Sequence, residues 1–121
     1  MSMKGKLTMD KIEVIVEALS KVNATEIVCY DTNNTSPFFS FVVVASVDSV
    51  RQLNSVATHI KEGCALSDIS LKSTSGLDTE WVIVDGCDFL VHVFSKEERN
   101  RFAIDKLYIE NELIDLSKYS K

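Results

Sequence analysis

Residues 80–94, EWVIVDGCDFLVHVF, decide the fold. Two runs of β-branched and aromatic residues flank Asp85-Gly86. Asp-Gly between such runs is a strong hairpin signal, because both central positions of a tight hairpin turn need positive φ. Cys87 and Asp88 widen the turn, so a bulge fits there. Immediately downstream Ser95 is a helix cap, and Glu98 three residues later completes a capping-box pattern. The helix it opens carries Glu97, Arg99, Arg101 and Phe102. Beyond it, residues 105–121 contain Leu107, Tyr108, Ile109, Leu113, Ile114 and Leu116. This tail either packs back on the domain or stays available to a partner, and the sequence leaves both open.

Upstream of the hairpin, residues 69–71 read as a short strand and 73–78 as a loop around Gly76. Val50, Leu53, Ala57 and Ile60 recur at helical spacing, with Ser46 as the expected cap and Gly63 as the left-handed stop. The run FFSFVVVA at 38–45 is almost continuously apolar, which suits a central strand covered on both faces. Residues 31–37 are polar turn formers and make a loop, and 26–30 make a short buried strand. Ile12, Ile15, Val16, Leu19 and Val22 mark one face of a first helix, capped by Thr8 and stopped at Asn23. Residues 1–7 are expected to be loose. The order is helix, strand, strand, helix, three strands, helix. It predicts an α/β fold (α+β-like) with a mixed sheet of about five strands packed with helices. The organisation read from this is a flexible N-terminus at 1–7, a domain at 8–108 and a C-terminal tail at 109–121.

The chain has 121 residues, 45% hydrophobic and 26% charged, which suits one globular domain. A net charge of −5 makes it a poor ligand for phosphate backbones. It suits docking on a basic protein, although on charge alone plain solubility is the favoured account. Cys29, Cys64 and Cys87 show no CxxC or zinc spacing and read as free thiols in a reducing cytosol. No apolar run resembles a signal peptide or a membrane span.

The usual catalytic motifs are missing: there is no GxGxxG, Walker loop, GxSxG or HExxH. His59 falls near the apolar side of the second helix and reads as a solvated or edge-of-core side chain rather than a ligand. His92 shares a strand face with Leu90 and Phe94, and a hydrogen-bonded buried histidine is its ordinary reading. Asp85 and Asp88 form a carboxylate pair of the kind that can hold a metal, but Asp is common in turns for backbone reasons. Trp81 and Phe89 read as core, or, on an uncovered sheet face, as interface anchors.

Trp81, the strand after it, the Asp-containing turn and Val91-His92-Val93-Phe94 resemble the signature of the ribosomal silencing factor family (RsfS, also called Iojap-like). The continuation through Glu98-Arg99, Phe102, Ile104 to Leu107 and Tyr108 agrees, as do the strands at 27–31 and from Phe38. The likeness spans residues 8–108. This chain departs from the family pattern at Pro37 (usually Asp), Val44-Ala45-Ser46 (Gly-Thr-Ser), Phe102 (Tyr) and Tyr108 (Trp). The resemblance implies a nucleotidyltransferase-like topology without that activity, and a cytoplasmic protein that is not an enzyme and uses no cofactor or metal. It implies binding to the large ribosomal subunit through ribosomal protein L-fourteen, which sterically blocks joining of the small subunit and represses translation under nutrient stress. A homodimer is a family habit, while direct sequence-specific nucleic-acid binding and membrane binding are not expected. The residues expected to meet the partner are Trp81, Asp85, Asp88, His92, Glu98, Arg99, Phe102 and Tyr108, with Arg99 alternatively pairing Glu98 or Asp105 at the surface. Two rival readings are a homodimeric adaptor for another protein and a degenerate nucleotidyltransferase.

Overall fold

The computed structural model describes residues 3–119, with side chains from Asp10 to Ser117 and at Tyr119. In chain order the elements are α1 (Met3–Lys21), β1 (Thr25–Asp31), β2 (Phe41–Val47), α2 (Val50–Leu66), β3 (Ser73–Ser75), β4 (Trp81–Asp85), β5 (Phe89–Ser95) and α3 (Lys96–Phe102). A 3-10 helix, Ile104–Tyr108, follows α3. The strands form one mixed sheet in the order β1-β2-β5-β4-β3, in which only β2 and β5 run parallel.

The two faces of the sheet are treated differently. On the inner face α1 and α2 bury Ile12, Ile15, Leu19, Leu53, Val56 and Ile60 against Phe41, Val43, Val82, Val91 and Val93. Phe41 and Phe89 stack here with ring centroids 5.2 Å apart. The outer face carries a second, smaller cluster of Tyr30, Val42, Val44, Phe94 and Ile104. All seven residues of β2 are buried, as the apolar run implies for a strand flanked on both sides.

Several boundaries differ from the sequence reading, each for a local reason. The backbone is helical from Met3, so Thr8 lies inside α1 rather than capping it, and residues 3–7 are not loose. Met, Lys and Leu before Thr8 are good helix formers. Met1 and Ser2 lie outside the described residues. Asn23 does take the left-handed conformation at the helix stop, with φ 57°. Phe38 and Phe39 belong to the loop, and β2 begins at Phe41. Ser46 is a β2 residue paired with Phe94, because the ladder to β5 continues as far as Val47. The cap of α2 is Ser49, whose hydroxyl accepts from the Gln52 amide at 3.2 Å, while Gln52 Oε1 accepts from the Asp48 amide at 3.0 Å. Ser49→Ala removes one acceptor from an otherwise orphaned N–H and is expected to lower unfolding free energy by about 1 kcal/mol in urea denaturation. Ser46→Ala would not act through this cap.

Gly63 is internal to α2, which runs on to Leu66. A Cβ there would sit 3.1 Å from Val14 Cγ1, so this glycine serves the close approach of α1 to α2. The left-handed residue after the helix is Asp68, φ 57°. Residues 69–71 form no strand, although Ile69 and Leu71 pack against the core. The polar Ser73–Ser75 pairs with β4 instead, as an exposed edge strand can. In the hairpin turn the positive φ (73°) belongs to Cys87, not to Gly86. Gly86 is required because a Cβ would fall 2.1 Å from the Phe89 ring.

The tail packs back on the domain. Asp31 N–H donates to Glu112 O at 2.8 Å and Ile114 N–H to Cys29 O at 2.8 Å, with Tyr30 and Leu113 bridged antiparallel. Residues 112–114 therefore cover the outer edge of β1, while Ile114, Leu116 and Tyr119 reach the main core.

Candidate partner-binding face

Two-residue alternation sends Trp81 and Ile83 of β4, and Leu90, His92 and Phe94 of β5, to the outer face. Trp81 is opposite Phe94, and Ile83 is opposite His92. The Trp81 ring lies 4.8 Å from Phe94 and 4.5 Å from Phe102, which α3 brings over the sheet. Trp81 Nε1 donates to His92 Nδ1 at 3.1 Å, which satisfies the indole and fixes the imidazole tautomer. His92 is only 6% exposed, and burial pushes its pKa down to about 4, so it is neutral at physiological pH. Phe102 is 49% exposed, so the aromatic cluster is open on the α3 side.

Ser95 positions α3. Its hydroxyl accepts from the Glu98 amide at 3.2 Å, as the capping box requires. The reciprocal half is not made. The Ser95 amide donates to Glu80 O, and the Glu98 carboxylate accepts from Arg101 Nε at 2.6 Å. Ala103, at φ 56°, ends α3 and turns the chain into the 3-10 helix. That helix lays Tyr108 on Tyr30, with ring centroids 5.1 Å apart.

Beneath this turn lies a polar knot. Arg99 Nε and Nη2 donate to the two Asp105 oxygens at 3.0 and 3.1 Å, and Nη1 donates to Ser46 Oγ at 3.0 Å. Nη1 also donates to the carbonyl of Glu26, which the β1 irregularity holds at φ 50°. Tyr30 Oη donates to Asp105 Oδ1 at 2.6 Å. Burial works to raise the Asp105 pKa, but the Arg99 and Tyr30 hydrogen bonds outweigh it and hold the carboxyl below its ordinary value. Burial first, then the Asp105 carboxylate, pushes the Tyr30 phenol up.

The eight residues expected to face a partner thus separate. Trp81, His92 and Phe102 come together in one cluster, and Tyr108 stands at the far end of the 3-10 helix. Arg99 does pair with Asp105, but not at the surface: it is 7% exposed and points inward. Asp85 accepts from the Cys87 amide at 2.9 Å, in the turn role that its position suggests. Asp88 turns toward the helical layer and pairs with Lys11 at 2.9 Å. Leu90 and Phe94 share the face of His92 as the alternation implies, and Ile83, opposite His92, was legible from the same two-residue period. Tyr30 and Asp105, which are 75 residues apart, carried no such signal. Among the described residues no three His, Cys, Asp or Glu side chains converge as metal ligands. No described helix is long and apolar enough to cross a membrane.

Helices on one sheet face and a half-open aromatic cluster on the other define a small α/β domain whose most distinctive surface is a shallow face rather than a cleft. The chain belongs to the ribosomal silencing factor family: the family model described as "Ribosomal silencing factor during starvation" matches residues 6–121. It is 29% identical over 106 residues to the ribosomal silencing factor RsfS of Bacillus subtilis, covering 87% of this chain and 90% of that one. A crystal structure from Chromobacterium violaceum superposes with a TM-score of 0.79 at 27% identity, covering 83% of this chain and 84% of that one. One from Bacillus halodurans gives 0.75 at 26% identity, covering 86% and 95%.

Proposed function

We propose that this chain binds the large ribosomal subunit through ribosomal protein L-fourteen and, while bound, excludes the small subunit and so represses translation when nutrients are scarce. Family membership supports a ribosomal partner. The feature of the fold that carries the docking reading is the Trp81–Phe102 pair, aromatic and half-open on an otherwise packed sheet. Aromatic side chains in such settings supply most of the energy of protein interfaces. Trp81, Phe102 and Tyr108 are the anchors in this reading, and Asp85 is the charge that orients the approach of a basic protein, since Asp88 and Glu98 are held by Lys11 and Arg101. His92 and Arg99 act from behind, holding Trp81 and the 3-10 helix in place.

The mechanism is steric. A bound factor occupies space that the second subunit needs, so it requires no covalent step, cofactor or metal, and it operates in the cytoplasm with the ribosome. Sedimentation of purified subunits with the protein added tests it. The expected result is co-migration with the large subunit and a smaller joined-ribosome peak. Protein left at the top of the gradient at micromolar concentration would remove the assignment. Phe102→Ala is expected to weaken binding about thirtyfold, equivalent to ~2 kcal/mol, with thermal unfolding little changed because the ring is half exposed. Unchanged affinity would exclude Phe102 as an anchor.

A further inference from the structure

Three consecutive residues of β1 hold the far end of the 3-10 helix. The Tyr30 ring stacks on Tyr108, and its hydroxyl donates to Asp105. On either side of Tyr30, the Asp31 carbonyl accepts from Asn111 Nδ2 at 2.9 Å and the Cys29 carbonyl accepts from the Ile114 amide at 2.8 Å. Asn111 is the near end of this attachment. Its amide donates to the Tyr108 carbonyl at 2.9 Å, and its side chain also donates to Thr35 Oγ1 at 2.7 Å. Ile109 and Glu110, between it and Tyr108, are exposed. A 3-10 helix of five residues has poor internal hydrogen bonds and does little to fix its own end. The first side chain after Tyr108 that ties the chain to β1 is that of Asn111.

We propose that Asn111 is a positioning residue of the docking face: its side chain clamps the end of the 3-10 helix to β1 and so holds the Tyr108 ring on Tyr30, in the pose that the ribosomal partner meets. The inference rests on the function proposed above and deepens it, since it concerns the same face. Asn111 needs no contact with the partner. An anchor ordered before docking loses less conformational freedom on binding, and the clamp supplies that order. A primary amide suits the place because Nδ2 carries two hydrogens, one for the Asp31 carbonyl and one for the Thr35 hydroxyl. Beyond it the chain is held by backbone bonds alone, from the Asp31 amide to Glu112 O and from the Ile114 amide to Cys29 O, and by the packing of Ile114 and Leu116 on the core. Loss of the side-chain clamp therefore frees the turn at 109–111 without unseating the segment that follows.

The test measures the affinity of the full chain for purified large subunits in wild type, Asn111→Ala, Tyr108→Ala and the double variant. Asn111→Ala is expected to weaken binding about fivefold with its unfolding temperature near that of wild type, and the double variant to bind no more weakly than Tyr108→Ala, because the clamp then has no ring to position. Asn111→Asp is expected to lose as much as the alanine variant, although its added negative charge would by itself favour a basic partner. Wild-type affinity in Asn111→Ala, with Phe102→Ala still impaired, would overturn the clamp and leave the main face standing. Losses that multiply in the double variant would make Asn111 act independently of Tyr108 and would also overturn it. So would Asn111→Asp binding as tightly as wild type or more so, and so would a large fall in the unfolding temperature of Asn111→Ala, which would make the residue a support of the whole fold. Failure of wild type itself to bind large subunits would remove both readings together.

Discussion

Arg99→Met is expected to destabilise the fold by about 3 kcal/mol, measured by urea or thermal unfolding. The guanidinium is almost fully buried and donates to four acceptor atoms from three parts of the chain: both oxygens of Asp105, the Ser46 hydroxyl and the Glu26 carbonyl. Methionine keeps the bulk of the side chain but strips every donor. Ser46 Oγ is then left short of a partner in a buried place, which is the expensive half of losing a hydrogen bond, while the carbonyl of the exposed Glu26 can turn to water. The Asp105 side chain is 38% exposed and can recover water, so its share of the loss is smaller and the total stays below that of a fully enclosed pair. Arg99→Lys is expected to recover little, because one ammonium cannot reproduce the flat fork that spans Asp105 and Ser46 at once. Tyr30→Phe should cost only about 1 kcal/mol, since it removes a single bond to a carboxylate that keeps Arg99. A loss under 1 kcal/mol for Arg99→Met would show that the knot is not a stabilising element. The knot also bears on the proposed docking face, since it fixes where the 3-10 helix leaves α3 and hence where Phe102 and Tyr108 stand.

Legibility in the sequence followed the range over which each signal acts. The hairpin, the central strand and the two long amphipathic helices are set by neighbours within a few residues and lie where periodicity puts them, although their ends shift; of the expected caps, the one at Ser95 forms. Errors clustered where two local signals compete or where a distant contact decides. Ser46 has the right chemistry for a cap, but the β5 ladder extends past it, so Ser49 takes that role. Gly63 looks like a stop until Val14 of α1 is seen against it. Ile69 and Leu71 have strand-like composition, yet the ladder goes to polar Ser73–Ser75, because hydrogen-bond register and not apolarity makes a strand. The candidate site shows the same division. Alternation placed His92 on one face with Leu90 and Phe94, while Trp81 and Phe102 stand out through the family signature and meet this cluster only in the fold. Nothing within the sequence window of Arg99 revealed that Tyr30, Ser46 and the Glu26 carbonyl wait for it, so an arginine beside acidic neighbours read as a surface residue. Burial makes it an internal brace between Asp105, Ser46 and Glu26.

Acidification is expected to expose the His92–Trp81 pair as a stability switch. Folding holds the imidazole at a pKa of about 4, against an ordinary 6.5, because burial penalises its charged form. Above pH 6.5 the imidazole is neutral in both states and costs nothing. As pH falls from 6.5 toward 4 the unfolded chain takes up a proton that the folded chain refuses, so stability falls through that window. The full loss, reached below pH 4, is about 3 kcal/mol at 1.36 kcal/mol per pKa unit. Once protonated, His92 Nδ1 also ceases to accept from the Trp81 indole, so the aromatic cluster should loosen as the protein destabilises. Asp105 contributes in the same direction but at lower pH: its carboxyl is held below 3.8 and loses that stabilisation only as it protonates. His92→Gln separates the two, because a glutamine oxygen can still accept from Trp81 but does not titrate. Unfolding free energy measured from pH 7 to 4 should drop about 3 kcal/mol further in wild type than in the glutamine variant. Parallel curves would mean that His92 is hydrated or charged in the folded state, and that the ring is no fixed support for Trp81. Tryptophan fluorescence over the same range supplies the local readout: a shift tracking the wild-type loss and missing from the variant ties the titration to this contact.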